Sequence, residues 1–84
     1  MNTKKFVIYF LKFYGNFGKK ELINMINDNY EFEEIYLICR NLNLIVEDSN
    51  EDDNYKKYDK KIYYVYKIVN YIDYLEEKIK KSLK

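Results

Sequence analysis

Apolar residues recur at three- and four-residue spacing through the first half of the chain, and an alternating run replaces that pattern in the second half. The first periodic stretch, 4–14, predicts a helix that Asn2 or Thr3 could cap and Gly15 would end. Phe6, Val7, Ile8, Phe10, Leu11 and Phe13 cover most of its circumference. Lys4, Lys5 and Lys12 are left for solvent, and Tyr9 and Tyr14 fit either environment. A helix this apolar is either central to the fold or part of a dimer interface. Phe17 would anchor the linker that follows. A second helix is expected over 19–27, with Leu22, Ile23 and Ile26 inward, and Asp28-Asn29 as a turn. A third, from Glu31 or Phe32 to Leu42, would bury Ile35, Ile38, Cys39 and Leu42. Asn43 then stands where a left-handed residue commonly closes a helix.

Beyond it, Leu44-Ile45-Val46 reads as extended and 49–54 as a polar, acidic loop tip. The segment 61–68 is rich in β-branched and aromatic types, with Ile62, Tyr64 and Tyr66 alternating against Tyr63 and Val65. That pattern predicts a strand and, with 44–46, a hairpin over about 44–68. Val69, Ile72, Leu75, Ile79 and Leu83 then predict a final helix over 70–83. The expected order is helix, helix, helix, β-hairpin, helix, an α+β arrangement forming one domain over 1–84.

Charge changes this picture more than composition does. The net charge is only +1, but residues 1–20 carry five lysines and no acid. Residues 21–53 carry ten acids against Arg40 alone, and residues 54–84 carry nine lysines against four acids. Near-neutrality therefore hides opposed regions. The 11 tyrosines, with abundant Asn, Lys and Ile, fit nucleotide bias in an AT-rich genome better than a purposeful tyrosine surface. One cysteine, Cys39, excludes an internal disulfide, and its place on an apolar face predicts a buried thiol. The apolar run 6–11 falls well short of the roughly 20 residues that span a bilayer. The expectation is a soluble protein of the cytoplasm, away from membranes.

Little here points to chemistry. Histidine is absent, so acid–base work would fall to carboxylates or a tuned lysine, and Cys39 has no base to activate it. Gly15 and Gly18 lack the run and the following Lys-Ser/Thr of a phosphate loop. Glu31 and Glu34 share a helix face, but no second cluster completes a metal site. No catalytic residue, cofactor or metal is expected, and the chain is not expected to be an enzyme.

The stretch from Glu21-Leu22 through Leu42-Asn43-Leu44-Ile45 resembles the winged helix-turn-helix family, in the manner of small archaeal, viral and bacterial regulators. The resemblance implies that the third helix enters the DNA major groove and that the hairpin is the wing. It implies a homodimeric transcriptional regulator, with the C-terminal helix used for dimerisation and two reading helices about 34 Å apart on double-stranded DNA. Contacts would come from Lys19 and Lys20, from Tyr36, Arg40 and Asn41 on the third helix, and from Lys56, Lys57, Lys60 and Lys61 around the wing tip. The dimer interface would use Phe6, Phe10, Phe13, Ile72, Leu75, Ile79 and Leu83. Acids at the leading end of the third helix would be repelled by phosphates. They motivate the alternative of a winged-helix protein-interaction module or acidic nucleic-acid mimic. Such a module would bind a protein partner through Glu31, Glu33, Glu34, Glu51, Asp52 and Asp53.

Overall fold

Three short helices close around a fourth, longer one. In this computed structural model they are α1 (Thr3–Phe17), α2 (Lys19–Asn29), α3 (Phe32–Asn41) and α4 (Lys57–Ser82). Residues 2–45 and 57–82 are described, 57–59 by their backbone alone. No strand occurs among the described residues. The α+β winged-helix arrangement is therefore overturned in favour of an all-helical bundle.

Local sequence accounts for each helix boundary in the first half. Asn2 caps α1, its Oδ1 accepting the Lys5 backbone N–H at 3.1 Å. α1 runs through Gly15, the expected stop, and ends at Gly18 instead. Gly18 has φ 86°, a left-handed conformation that costs a residue with a side chain far more than glycine. Its N–H reaches the Tyr14 carbonyl at 2.9 Å and its own carbonyl accepts from Leu22 at 3.2 Å, so one residue closes α1 and opens α2. Glu31 and Glu34 open α3 as a capping box, the Glu34 carboxylate accepting the Glu31 backbone N–H at 3.1 Å. At the other end Asn43 takes φ 58°, as its position predicted. The Asn43 and Leu44 N–H groups bond back to the Arg40 and Cys39 carbonyls at 3.0 and 2.9 Å.

The main departure lies in 61–68. These residues are not a strand but the first half of α4, and the helix expected over 70–83 is its second half. The buried side chains on α4 are Tyr64, Val65, Ile68, Val69 and Ile72, a helical repeat, where an alternating set would mark a strand. β-propensity measures how well a side chain fits a half-buried pleated surface, and it yields to context. Here the context is an apolar hollow between three helices. Neither glycine nor proline falls between 57 and 82 to interrupt a helix. Asn70, expected as a cap, sits exposed in mid-helix. With the second strand gone, the hairpin wing over 44–68 is excluded. Its remaining portion, 46–56, lies outside the described residues.

α4 packs on each of the other three helices, and α1 also packs on α2. The core is aliphatic at its centre: Leu22, Ile26, Ile35, Ile38, Val65, Ile68, Val69 and Ile72 are all essentially solvent-free. Phe6 and Phe10 enter from α1, and Cys39 completes the interior beside α4. Polar ties fix the ends. The Asn41 amide donates to Thr3 Oγ1 at 2.8 Å, joining the end of α3 to the start of α1. The Cys39 thiol meets the Tyr64 carbonyl at 3.5 Å, at a height where α3 crosses α4.

Ile72→Ala is expected to lower the unfolding free energy by about 2–5 kcal/mol, because the vacated volume lies in the solvent-free core. Ile79→Ala, on the same helix face but exposed, should change it by less than about 0.5 kcal/mol. Urea denaturation of both variants, followed by circular dichroism, checks the contrast.

Candidate docking surface

The residues expected to read DNA are not brought together. Lys19 and Lys20 are exposed in the first turn of α2, beside Tyr66 of α4. Tyr36 is half-buried, its ring stacked on Phe32 at 6.0 Å and leaning on Tyr64 at 5.7 Å, so it belongs to the α3–α4 contact. The Asn41 amide is turned toward Thr3. Arg40 is exposed at the end of α3. Lys57, Lys60 and Lys61 lie on the opening turns of α4, not around a wing tip, and Lys56 lies outside the described residues. A DNA-binding regulator of winged-helix type is thus corrected on two grounds. No wing is formed among the described residues, and two of the three reading side chains on α3 face neighbouring helices.

The expected dimer residues divide by depth. Phe6, Phe10 and Ile72 are interior. Phe13 and Leu75 are half-buried, Ile79 is 43 % exposed, and Leu83 lies outside the described residues. Of the acids expected to meet a protein partner, Glu31 and Glu34 form the α3 capping box and Glu33 is exposed on the same turn. Glu51, Asp52 and Asp53 lie outside the described residues.

What the fold does assemble is an aromatic ladder along α1. Tyr30, just past α2, contacts Phe6 at 5.2 Å between ring centroids, and Phe6 contacts Phe10 at 4.7 Å. Tyr9 lies edge-on to Phe10 at 4.9 Å, Phe10 reaches Phe13 at 6.0 Å, and Phe13 reaches Phe17 at 4.7 Å. The inner rungs are core. The outer ones are not: Tyr9 and Phe17 are each 60 % exposed. Tyr9, Phe13 and Phe17 are spaced by four, so they form one stripe on the helix. Lys5 and Lys12, four before and three after Tyr9, flank that stripe and are exposed. Lys5, Tyr9, Phe6 and Tyr30 also border a shallow recess at the N-terminal end of α1. The sequence did not show this stripe, because a helix ending at Gly15 leaves Phe17 in a linker and nothing said which rings the core would leave outside.

Within the fold, the other side of α1 is tied to α4. The Tyr14 hydroxyl donates to an Asp73 carboxylate oxygen at 2.5 Å. That bond, with some burial and the nearby negative charges of Asp73, Glu76 and Glu77, pushes the Tyr14 phenol up to about 12. Burial pushes the Cys39 thiol up to about 11, so it is held protonated and is a poor nucleophile. Among the described residues, no group of three or more histidines, cysteines and carboxylates could hold a metal ion.

No protein-family model, curated protein or solved structure matches the chain. Among the described residues, no helix is long and apolar enough to cross a membrane.

The Tyr14–Asp73 bond has a pH signature. An unfolded tyrosine ionises near 10 and folded Tyr14 near 12. Its contribution to stability is complete below pH 10 and is lost as the pH rises toward 12. Tyr14→Phe should cost about 1 kcal/mol at neutral pH. Its melting temperature should fall less steeply than that of the wild-type protein between pH 10 and 12, as calorimetry across that window would read.

Proposed function

We propose that this chain is a non-catalytic helical docking module whose working surface is the outer edge of the α1 aromatic ladder. One observation carries the reading. Tyr9 and Phe17 stay 60 % exposed although each is in ring contact with the core-facing ladder beneath it. Exposed rings on a rigid, well-packed base make good anchors, because they offer large apolar area at little entropic cost. The base is rigid here because Phe6 and Phe10 are locked in the interior.

Charge narrows the class of partner. The stripe is flanked by Lys5 and Lys12, in a stretch of 20 residues that contains five lysines and no acid. The fitting occupant is an amphipathic peptide or helix with apolar anchors and acidic flanks, laid along α1. The apolar rings would supply affinity, and the lysines would set orientation and speed the encounter. The protonated, buried Cys39 thiol favours binding over nucleophilic chemistry. The acids of the α3 opening are less suited to the task, because Glu31 and Glu34 already satisfy the start of that helix.

An NMR titration of the labelled protein with an acidic amphipathic helical peptide, and in parallel with its lysine-substituted counterpart, tests this reading. The acidic peptide should shift the resonances of Lys5, Tyr9, Lys12, Phe13 and Phe17. The basic one should leave them in place. Tyr9→Ala and Phe17→Ala should each weaken binding by about 10-fold. Shifts that map to another face, or equal response to both peptides, would refute it.

A further inference from the structure

α4 is too long for the body it organises. Its 26 residues make a rod of about 39 Å, against 15, 11 and 10 residues in α1, α2 and α3. The last buried position on it is Ile72; Leu75 and Glu76 are half-buried, and every residue from Glu77 to Ser82 is exposed. Gly15, two residues before the end of α1, stands beside this part of α4: a Cβ placed on it would lie 3.9 Å from Glu76 Oε1. The final turns therefore project past the bundle, consistent with principal extents of 46 × 23 × 21 Å. The core-facing stripe does not stop where the body does. Ile68, Ile72, Leu75 and Ile79 continue at three- and four-residue spacing, and Ile79 carries the stripe into solvent.

We infer that the projecting end of α4 pairs antiparallel with the same segment of a second copy of this chain, across a two-fold axis near Ile79. This surface is separate from the α1 aromatic face and does not depend on that reading. Sterics select the antiparallel sense. The apolar stripe lies on the side of α4 that faces its own three-helix body, so parallel tails would drive two bodies into one space. Antiparallel tails place the bodies at opposite ends, and each tail fills the space past the end of the other body.

Charge selects the partner as a second copy. In an antiparallel pair related by a two-fold, each flank of the seam lies opposite the same flank of the other helix. One flank carries Glu76 and Lys80, already paired within the chain at 3.8 Å. That flank is self-complementary: Glu76 of each copy comes within side-chain reach of Lys80 of the other. The opposite flank carries Lys78, whose Nζ lies 6.0 Å over its own Tyr74 ring, back along the helix and away from the axis. Ile79 meets its symmetry mate at the centre, with Leu75 one turn back on each copy. The seam is short, well below the roughly 1,200 Å² of a stable complex, so the pairing is weak and concentration-dependent.

Sedimentation equilibrium from about 10 μM to about 2 mM reads it directly. The average mass should climb from the 10.4 kDa monomer toward twice that value, with a midpoint of about 0.1–1 mM. Ile79→Glu should hold the protein monomeric throughout. Glu76→Lys and Lys80→Glu should each raise the midpoint several-fold, and the double swap should return it to within about 2-fold of wild type. Circular dichroism confirms that each variant keeps its helices. A mass that stays monomeric at every concentration would overturn the inference. So would association indifferent to Ile79→Glu, or a double swap no better than its single members.

Discussion

Everything in this molecule depends on α4 supplying the apolar surface that three short helices cannot supply for one another. Helices of 10 to 15 residues are marginal in water, because nucleation is costly and few hydrogen bonds follow it. Each of α1, α2 and α3 becomes stable by laying one face on the stripe of Tyr64, Val65, Ile68, Val69 and Ile72. Full burial of such aliphatic side chains contributes about 1.5–3 kcal/mol apiece before entropy is set against it. The polar ties act on top of that contact. Tyr14 to Asp73 and Asn41 to Thr3 fix register and end positions, and neither of these two bonds lies in the solvent-free centre.

That arrangement decides the fate of the aromatic residues. A chain of 84 residues has a small interior, and here its centre is filled by branched aliphatics. With 11 tyrosines and five phenylalanines, many rings must sit at the rim. Tyrosine tolerates that position, since the ring packs while the hydroxyl stays wet. Tyr63 and Tyr74 do so on the outer face of α4, with Lys67 and Lys78 ammonium groups 5.0 and 6.0 Å from their rings. Phe17 has no hydroxyl to hydrate. Its exposure beside the stripe of Tyr9 and Phe13 is what separates the α1 edge from an ordinary tyrosine-rich surface.

Local rules and global packing competed most openly at Lys61–Ile68 and at the glycines. Gly15 and Gly18 are both plausible stops, but running α1 on to Phe17 sets the Phe17 ring 4.7 Å from that of Phe13. The turn consequently moved to Gly18, where the left-handed backbone is available at little cost. In the segment Ile62-Tyr63-Tyr64-Val65-Tyr66 every residue favours a strand by type, yet the apolar period continues unbroken into Ile68, Val69 and Ile72. Long-range burial outweighed preferences of a few tenths of a kcal/mol per residue.

The sequence by itself determined the first three helices, a cap at Asn2 or Thr3 and the left-handed closure at Asn43. Each of these rests on interactions within a turn or two of chain, which spacing and residue type encode directly. The candidate surface was not legible, because ending the first helix at Gly15 put Phe17 outside the turns that align it with Tyr9 and Phe13. Only the tertiary structure decided that 61–82 is one helix, that Phe6 and Phe10 are core while Tyr9 and Phe17 are rim, and that α4 outruns its bundle. Those outcomes turn on which surfaces meet across long separations in sequence. A hydrophobic pattern states that a face must be covered, and packing alone states by what.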